Sequence, residues 1–315
     1  MNQFSLFLAK YFKKFIPEFF LNSLIVNASK GKGDKLEITL TIGCAMMCEY
    51  CPQTLIRNVS SNRNLKRKMD FEEFKQFINN VSKSTEILWT GYSEPLAHED
   101  FDKYVLYLNN EGYKQSISTT MFGRRKTENF MTKFANFGFV TFHLPDDKNL
   151  MKLNVSKRYL TTLEEAIRFQ CKYNKENVYY LVFGNDFHPE IRDLIDKLNK
   201  EKVIDPSKIE VRSHLHSRND AVDVSLIDGK ERSKNKNINF KNKKYYCSYK
   251  RLNQGVLMPD GEVNICCHDY SLDFSIGNLK NNNLKNLYKQ KKLVNSGFIN
   301  GQSSLCGKCE YYKPL

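Results

Sequence analysis

Short apolar runs alternate with longer amphipathic segments along the chain between residues 36 and 212. Such alternation is typical of βα units that build a parallel sheet, so we predict an α/β fold. The apolar runs predict six strands, at Leu36–Ile42, Thr85–Thr90, Lys114–Thr119, Phe139–Leu144, Val178–Phe183 and Lys208–Arg212. Helical periodicity predicts helices at Asp70–Val81, Asp100–Asn110, Thr127–Asn136, Thr161–Tyr173 and Pro189–Asn199. Six repeats are too few to close an eight-stranded barrel.

The pattern changes after residue 229. Residues 230–246 are rich in Lys, Arg and Asn, which is typical of a solvated connector. The segment Gln254–Cys266 then predicts two strands joined by a tight Pro-Asp-Gly turn. We therefore expect four parts: an N-terminal extension (1–34), a barrel-like domain (35–229), a basic linker (230–246) and a small C-terminal domain (247–315).

An apolar N-terminal stretch, Phe4–Ile25, is interrupted by charges that include Lys10, Lys13 and Lys14. These charges exclude a membrane-spanning helix, which needs about 20 predominantly apolar residues. We favour a helix that packs on the outside of the main domain. The alternative is an interfacial helix that brings residues 1–30 into peripheral contact with a membrane.

Composition narrows the class of protein further. With 315 residues and 41% hydrophobic content, the chain can bury the core of one large or two modest domains. The formal charge of +14 attracts phosphate, nucleic acid or anionic lipid. Much of this charge lies in Arg63–Lys68 and in the connector, so nucleic-acid binding is not expected. The nine cysteines fall mostly in motif groups without a cleavable signal peptide, so we expect reduced thiols in the cytoplasm.

Three of the cysteines follow the first predicted strand directly. Cys44, Cys48 and Cys51 have C-x3-C-x2-C spacing. Three thiolates can converge on a four-iron cluster and leave one iron without a protein ligand, and an open metal position indicates chemistry. The alternatives are a zinc knuckle or buried structural cysteines, but zinc sites favour paired C-x2-C units and four ligands.

This loop resembles that of the radical S-adenosylmethionine (SAM) enzymes. The resemblance implies a partial (β/α)6 barrel in which the loops at the carboxyl ends of the strands carry the chemistry. It further implies that the open iron of a [4Fe–4S] cluster binds SAM and that electron transfer cleaves SAM to a 5′-deoxyadenosyl radical. A flavodoxin or ferredoxin-type protein is then the expected electron donor.

The same resemblance suggests residues that bind SAM. The segment Trp89–Leu96 is similar to the Gly-Gly-Glu-Pro element of the family, which assigns the methionine amino group to Gly91, Ser93 and Glu94. The chain departs from that element by one extra residue, with Tyr92 and Ser93 where a second glycine usually stands. We expect two further residues to bind SAM. They are Ser118, at the end of the third strand, and Arg218, which is slightly favoured over Arg212.

A second cysteine pattern lies in the C-terminal domain. It has the form C-x13-G-x4-C followed by C-x2-C, with cysteines at Cys247, Cys266, Cys306 and Cys309. Four thiolates can close a [4Fe–4S] cluster completely. The pattern resembles the auxiliary-cluster extension called SPASM, or its shortened form called twitch, and implies one auxiliary cluster. A zinc ribbon is the alternative, and we interpret the adjacent Cys267 as structural.

Taken with the resemblance, these motifs suggest a radical SAM oxidoreductase that removes hydrogen from a small polar substrate, with the auxiliary cluster as electron acceptor. A sugar, an aminocyclitol or a nucleotide-linked sugar would fit, and the basic charge suits a phosphorylated substrate. One alternative is a SPASM-type maturase that crosslinks or epimerises peptides, and another is a zinc-stabilised nucleic-acid-binding protein. Three histidines could bind the substrate or be structural: His143, His214 and His216.

Overall fold

The computed structural model describes residues 30–123, 137–215, 218, 221–223, 225–228, 245–299, 304–307 and 309–314, with residues 20, 23–24 and 27–28 before them. Several sequence-based expectations lie outside these residues. They concern most of the N-terminal extension, the helix predicted at Thr127–Asn136, His216 and the connector up to residue 244.

Six parallel strands form the main part of the sheet, which confirms the predicted α/β class. They are β1 (Lys35–Ile38), β2 (Glu86–Trp89), β3 (Gln115–Thr119), β4 (Phe137–His143), β5 (Val178–Phe183) and β6 (Ile209–Arg212). They lie side by side in chain order, and the sheet does not close on itself among the described strands. This is the partial barrel that the family resemblance implies.

Helices follow the strands of this sheet. They are α1 (Gln53–Asn62), α2 (Phe71–Asn79), α3 (Phe101–Asn110), α4 (Lys157–Asn174) and α5 (Pro189–Lys200). The start of α2 agrees with the sequence, because the Asp70 side chain accepts hydrogen bonds from the first-turn amides of Glu72 and Glu73. In α4, Ser156 caps the helix by accepting from Tyr159 N, and the helix begins four residues before the predicted Thr161. No helix in the described part of the chain is long and apolar enough to cross a membrane.

The sequence pattern missed α1. The buried residues of this helix are Gln53, Ile56 and Ser60, so two of the three are polar and no apolar stripe marks the helix. Pro52 immediately before the first turn was a usable signal, since proline is compatible with a helix start.

The C-terminal segment adds strands to the same sheet and forms a separate one. Its strands are β7 (Tyr245–Cys247), β8 (Gln254–Leu257), β9 (Glu262–Asn264), β10 (Ser275–Asn278) and β11 (Tyr312–Pro314), and its helices are α6 (Ser225–Asp228), α7 (Leu284–Ile299) and α8 (Ser304–Gly307). Strands β8 to β10 extend the main sheet, and β7 and β11 pair with each other in the separate antiparallel sheet. The predicted hairpin is confirmed as β8 and β9. However, β8 also pairs in parallel with β1, with Lys35 opposite Gln254 and Ile38 opposite Leu257. The second cysteine pattern is therefore built on the strand that leads into the first cysteine loop.

The hairpin turn also packs against the barrel. Gly261 has φ +90°, and its amide donates to the carbonyl of Met258 at 3.0 Å. A Cβ atom at Gly261 would lie 2.7 Å from Asn278 Oδ1 and 2.8 Å from Cε1 of Phe77 on α2. Only glycine satisfies both the backbone angle and the close approach.

We predict that Gly261→Ala lowers the free energy of unfolding by roughly 2–4 kcal/mol, because the strained φ angle and the clash with Phe77 add. Chemical denaturation would measure this loss. The matched control is Gly112→Ala, since Gly112 has φ +75° but no atom within 4 Å of an added Cβ. For the control, the free energy of unfolding should fall only by the cost of the positive φ angle, about 1–2 kcal/mol. Equal losses in both variants would contradict the packing argument.

Candidate active site

The three cysteines of the first motif lie in a hydrogen-bonded loop beyond the end of β1. The Cys51 amide donates to the Cys48 carbonyl at 3.0 Å, and the Glu49 amide donates to the Leu150 carbonyl at 2.8 Å. Cys44 is buried, and Cys48 and Cys51 are partly buried. Backbone contacts on both sides therefore hold this loop in a defined shape.

The donor set fits an iron–sulfur cluster. Burial, together with negative charge on Cys51 and Cys44, raises the pKa of Cys48 to about 12, so the three thiols lie within one another's field. Three such thiolates need a strongly positive group beside them, which cluster iron supplies. None of the nine cysteines forms a disulfide bond. Among the described residues, no three His, Cys, Asp or Glu side chains are grouped to hold a single metal ion.

Gln53, the first residue of α1, ties this loop to the next one. Its side chain is 2% exposed. Its Oε1 accepts from the Cys44 amide at 2.9 Å, and its Nε2 donates to the Tyr92 carbonyl at 2.7 Å and lies 3.4 Å from Cys51 Sγ. The sequence analysis missed Gln53, and the one available signal was its position two residues after Cys51.

The loop after β2 contains the residues similar to the Gly-Gly-Glu-Pro element. Gly91 has φ +65°, and a Cβ atom there would lie 2.3 Å from Thr39 Oγ1 and 2.9 Å from the Ile38 carbonyl oxygen. This position can therefore hold only glycine. The close approach places the loop directly against the chain that leaves β1.

Tyr92, the extra residue in this element, has a structural explanation. The side chain is 1% exposed, and its hydroxyl lies 2.9 Å from the Cys266 carbonyl oxygen and 3.0 Å from that of Asp269. Its ring contacts the Tyr270 ring edge-on at 5.0 Å between centroids. Tyr92 thus links the loop after β2 to the segment that carries the second cysteine pattern.

Glu94 joins the loops after β2 and β3. Its carboxylate accepts from Thr119 Oγ1 at 2.6 Å, from both the amide and the hydroxyl of Thr120 at 2.8 Å, and from the Leu96 amide at 3.1 Å. Burial raises the pKa of Glu94, and these donors oppose that shift. Both carboxylate oxygens are therefore engaged by the chain itself.

One cavity of about 150 Å³ collects the residues that the sequence suggested for the SAM site. Its walls include all three cysteines of the first motif and every predicted SAM-binding residue, namely Gly91, Ser93, Glu94, Ser118 and Arg218. We call it the inner cavity. Arg212, the less favoured cation, is not part of its wall; it forms a two-point ion pair with Glu210 instead.

Arg218 lies beside the first cysteine motif. Its Nη1 donates to the Tyr270 hydroxyl and lies 3.9 Å from Cys51 Sγ. The guanidinium carbon also stands 5.3 Å from the centre of the Tyr270 ring. A permanent positive charge is therefore held at the edge of the inner cavity, next to a cysteine sulfur.

The four cysteines of the second pattern come from four different elements. Cys247 ends β7, Cys266 follows β9, Cys306 lies in α8, and Cys309 precedes β11. Burial raises the pKa of Cys306, and negative charge on Cys309 and Cys247 raises it further. The thiols of Cys247, Cys306 and Cys309 therefore lie within one another's field.

Lys291 of α7 places a buried cation beside these cysteines. It is 3% exposed, and its Nζ donates to the carbonyls of Arg251 at 2.7 Å and of Gln254 and Ile265 at 2.5 Å. Burial lowers the pKa of Lys291, and negative charge on Cys266 opposes that shift. The positive charge of Lys291 suits an anionic cluster.

A second cavity, of about 390 Å³, adjoins the first. We call it the outer cavity. Eight residues line both cavities: Tyr50, Thr90, Gly91, Ser118, His143, Phe183, Arg218 and Tyr270. Cys267 lines the outer cavity only. The two spaces therefore share one wall.

Of the two candidate histidines that the structure describes, His143 and His214, His143 lies at this shared wall. Its ring contacts Phe183 at 5.8 Å between centroids. Burial, together with the charges of Arg212 and Arg218, lowers the pKa of His143 to about 4, so the imidazole is neutral at pH 7. His214 is exposed.

We predict that Tyr92→Phe disturbs the second cysteine site specifically. The change keeps the ring packing but leaves two buried carbonyls without their donor, at a cost of about 1–3 kcal/mol in the free energy of unfolding. Tyr113→Phe is a matched control, because the Tyr113 hydroxyl donates to two buried carbonyls at 2.8 and 2.9 Å elsewhere. Both variants should lose stability, but only Tyr92→Phe should alter the spectrum of the auxiliary cluster. Identical spectra would count against the link.

Comparison with protein-family models gives two matches. Residues 38–198 match the radical SAM superfamily, and residues 247–310 match SPASM, an iron–sulfur cluster-binding domain. The first match implies a [4Fe–4S] cluster and SAM, and the second implies an auxiliary iron–sulfur cluster, so the expected cofactors are confirmed. A comparison with curated proteins found no match.

Solved structures of similar fold include three for which both chains are well covered. Native anSMEcpe with bound AdoMet is 16% identical, with 88% of this chain and 86% of that chain covered and a TM-score of 0.50. BtrN in complex with AdoMet and 2-DOIA is 14% identical, with 89% and 94% covered and a TM-score of 0.49. Streptococcus suis SuiB is 13% identical, with 90% and 80% covered and a TM-score of 0.48.

The family match covers residues 38–198, and those residues contain the last residue of β1, the cysteine loop, the loop after β2 and the strands β2 to β5. The second match contains all four cysteines of the C-terminal pattern. At 16% identity, the likeness to anSMEcpe concerns the fold alone. The chain belongs to the radical SAM superfamily and is a radical SAM enzyme with a C-terminal iron–sulfur cluster-binding domain.

Proposed function

We propose that this enzyme is an oxidoreductase that removes two hydrogens from a small polar substrate. The observation that supports this most is the wall shared by the inner and outer cavities, because it would bring a substrate C–H bond beside a cofactor bound at the cysteine loop. When bound, the cofactors would supply the radical chemistry that removes one hydrogen atom from the substrate and an acceptor for one electron, and the substrate would lose one proton. The electron donor would be a flavodoxin or ferredoxin-type protein.

In this proposal the inner cavity binds the cofactors. Cys44, Cys48 and Cys51 would hold the first cluster. Backbone groups from Gly91 to Glu94 would accept hydrogen bonds from the methionine ammonium of SAM, with Glu94 holding that loop in place through its four donors. Arg218 would pair with the methionine carboxylate, and Ser118 would bond a ribose hydroxyl.

The outer cavity would bind the substrate. Its volume of about 390 Å³ is in the range of small-molecule sites. The rings of Tyr50 and Phe183 pack together at 5.2 Å on the wall shared with the inner cavity, where they would shield reactive atoms from water. His143 lies at the same wall as a neutral imidazole, and it could accept the proton that the substrate loses.

The four C-terminal cysteines, Cys247, Cys266, Cys306 and Cys309, would hold the auxiliary cluster. With four protein ligands, the cluster has no open position for a substrate, and electron transfer is the remaining role. Lys291 supports this role, because a buried positive charge stabilises the more negative, reduced state of a nearby cluster.

Anaerobic incubation of the cluster-loaded enzyme with SAM, dithionite and a panel of sugars, aminocyclitols and sugar phosphates tests the reaction. We expect one substrate to raise 5′-deoxyadenosine at least about tenfold and to give a product lighter by two hydrogens. Cys48→Ala should abolish 5′-deoxyadenosine. Cys306→Ala should still form it but lose the oxidised product, since the electron acceptor is damaged.

The rival function is modification of a peptide by crosslinking or epimerisation. If no small molecule raises 5′-deoxyadenosine above the SAM-only background, the oxidoreductase proposal is wrong. A crosslinked peptide, or one with solvent deuterium at an α-carbon, would establish the rival instead. Zinc in place of iron in anaerobically purified protein would contradict both.

We also expect Gln53 to tune the first cluster. Its Nε2 lies 3.4 Å from Cys51 Sγ, and donors to cluster sulfurs favour the reduced state. A hydrogen bond of about 1 kcal/mol corresponds to about 40 mV for a one-electron couple, so Gln53→Leu should lower the midpoint potential by that order. EPR-monitored redox titration would measure it. Gln115→Leu is the control, because Gln115 is an equally buried amide that bonds Trp89 instead; equal shifts would refute the assignment.

A further inference from the structure

A cluster of basic and aromatic side chains lines the outer cavity away from the inner one. Its members come from four separate parts of the chain, and none of them lines the inner cavity: Arg212, Tyr249, Arg251, His268 and Tyr311. Arg212 belongs to β6, at one edge of the open sheet, and the others belong to the C-terminal segment. We call this cluster the rim.

The rim is held together by ring contacts. Tyr249 and Tyr311 stack at 4.2 Å between centroids with 12° between the ring planes, and the Arg251 guanidinium carbon lies 4.2 Å from the centre of the Tyr249 ring. His268 meets the Tyr311 ring edge-on at 5.5 Å. Burial raises the pKa of Tyr311, and the charge of Arg212 opposes that shift, so this guanidinium lies near the stack.

Charge in the outer cavity favours an anion. Two carboxylates line this cavity, those of Glu37 and Glu210. Four basic side chains line it as well: Lys208, Arg212, Arg218 and Arg251. Each carboxylate is already engaged by an arginine. Glu210 pairs with Arg212 at 2.7 and 2.9 Å, and Glu37 pairs with Arg251 at 2.8 Å. The surplus consists of Lys208 and Arg218; since Arg218 is assigned to the methionine carboxylate, the charge of Lys208 remains and leaves the cavity net positive.

The two rim arginines keep donors for such a ligand. Arg212 uses Nε and Nη2 for Glu210, and Arg251 uses Nη1 for Glu37. In the described contacts, Nη1 of Arg212 and Nη2 of Arg251 donate to neither carboxylate, so they can donate to a ligand. The arginine side chains are 29% and 20% exposed, so both line a recess and not an open surface. That geometry suits one small anion better than a nucleic-acid backbone.

We propose that the rim binds a phosphate group of the substrate, with Arg212 and Arg251 as its principal ligands. This assignment deepens the proposed function and rests on it for the identity of the cavity. Guanidinium groups from two sides suit the several acceptor oxygens of a phosphate. A substrate held at the rim by its phosphate would extend its carbon skeleton toward the wall shared with the inner cavity.

Calorimetric titration of the cluster-loaded enzyme with inorganic phosphate and pyrophosphate tests the rim directly. Arg212→Met should weaken binding about tenfold or more, because one charge-assisted contact is lost. Glu210→Gln should strengthen binding, because it removes the carboxylate that competes for Arg212. Arg168→Met is the matched control: Arg168 makes a similar two-nitrogen pair with Glu164 outside the cavity, and its loss should leave binding unchanged.

Opposite effects of Arg212→Met and Glu210→Gln support the rim, since a loss of folding would not produce them. Failure of the wild-type enzyme to bind either probe, equal weakening by Arg168→Met, or malonate binding as tight as pyrophosphate would overturn the phosphate assignment. Cleavage of SAM is measured on the same preparations. If 5′-deoxyadenosine forms normally but phosphate does not bind, the phosphate assignment is wrong and the proposed reaction is unaffected. If phosphate binds but no substrate raises 5′-deoxyadenosine, the proposed reaction is wrong and the phosphate assignment is unaffected.

Discussion

The side-chain amide of Gln53 is the interaction on which the site geometry depends. A loop with three cysteines has few backbone hydrogen bonds of its own, and its thiols repel one another when they ionise. Gln53 fixes both ends of this loop, at the Cys44 amide and at Cys51 Sγ, and also holds the Tyr92 carbonyl. Tyr92 in turn bonds the segment that contains Cys266. One buried amide therefore connects both cysteine sites.

The sheet provides the rigid support for that connection. Because β8 pairs in parallel with β1, the strand that enters the cysteine loop and the hairpin that precedes Cys266 share a ladder of hydrogen bonds. The amide of Thr39, just past β1, continues the ladder by donating to the Leu257 carbonyl at 2.9 Å. The C-terminal segment thus cannot shift along the barrel without breaking backbone pairs, which fixes the separation of the two cysteine sites.

Much of the fold could be predicted from the sequence, because buried parallel strands such as Val178–Phe183 are continuous apolar runs and cysteine spacing is a local signal. The pairing of β8 with β1 could not, since residues more than 200 positions apart meet there. The α1 helix was missed because polar Gln53 and Ser60 occupy its buried face. The role of Tyr92 likewise depends on carbonyls more than 170 positions away, and no sequence pattern encodes such contacts.

Each cysteine site has a cation beside it, and the two cations are held differently. The cation beside the four C-terminal cysteines is tightly held, whereas the cation beside the three cysteines of the first motif has fewer polar partners. Lys291 donates to three backbone carbonyls, so its charge is fixed whatever occupies the C-terminal site. Arg218 contacts only the Tyr270 hydroxyl and Cys51 Sγ among its described polar partners, and it borders both cavities. A carboxylate entering the inner cavity could therefore recruit Arg218 at little cost. A fixed cation suits a permanently closed cluster, whereas an adjustable one suits a site that binds and releases a co-substrate at every turnover.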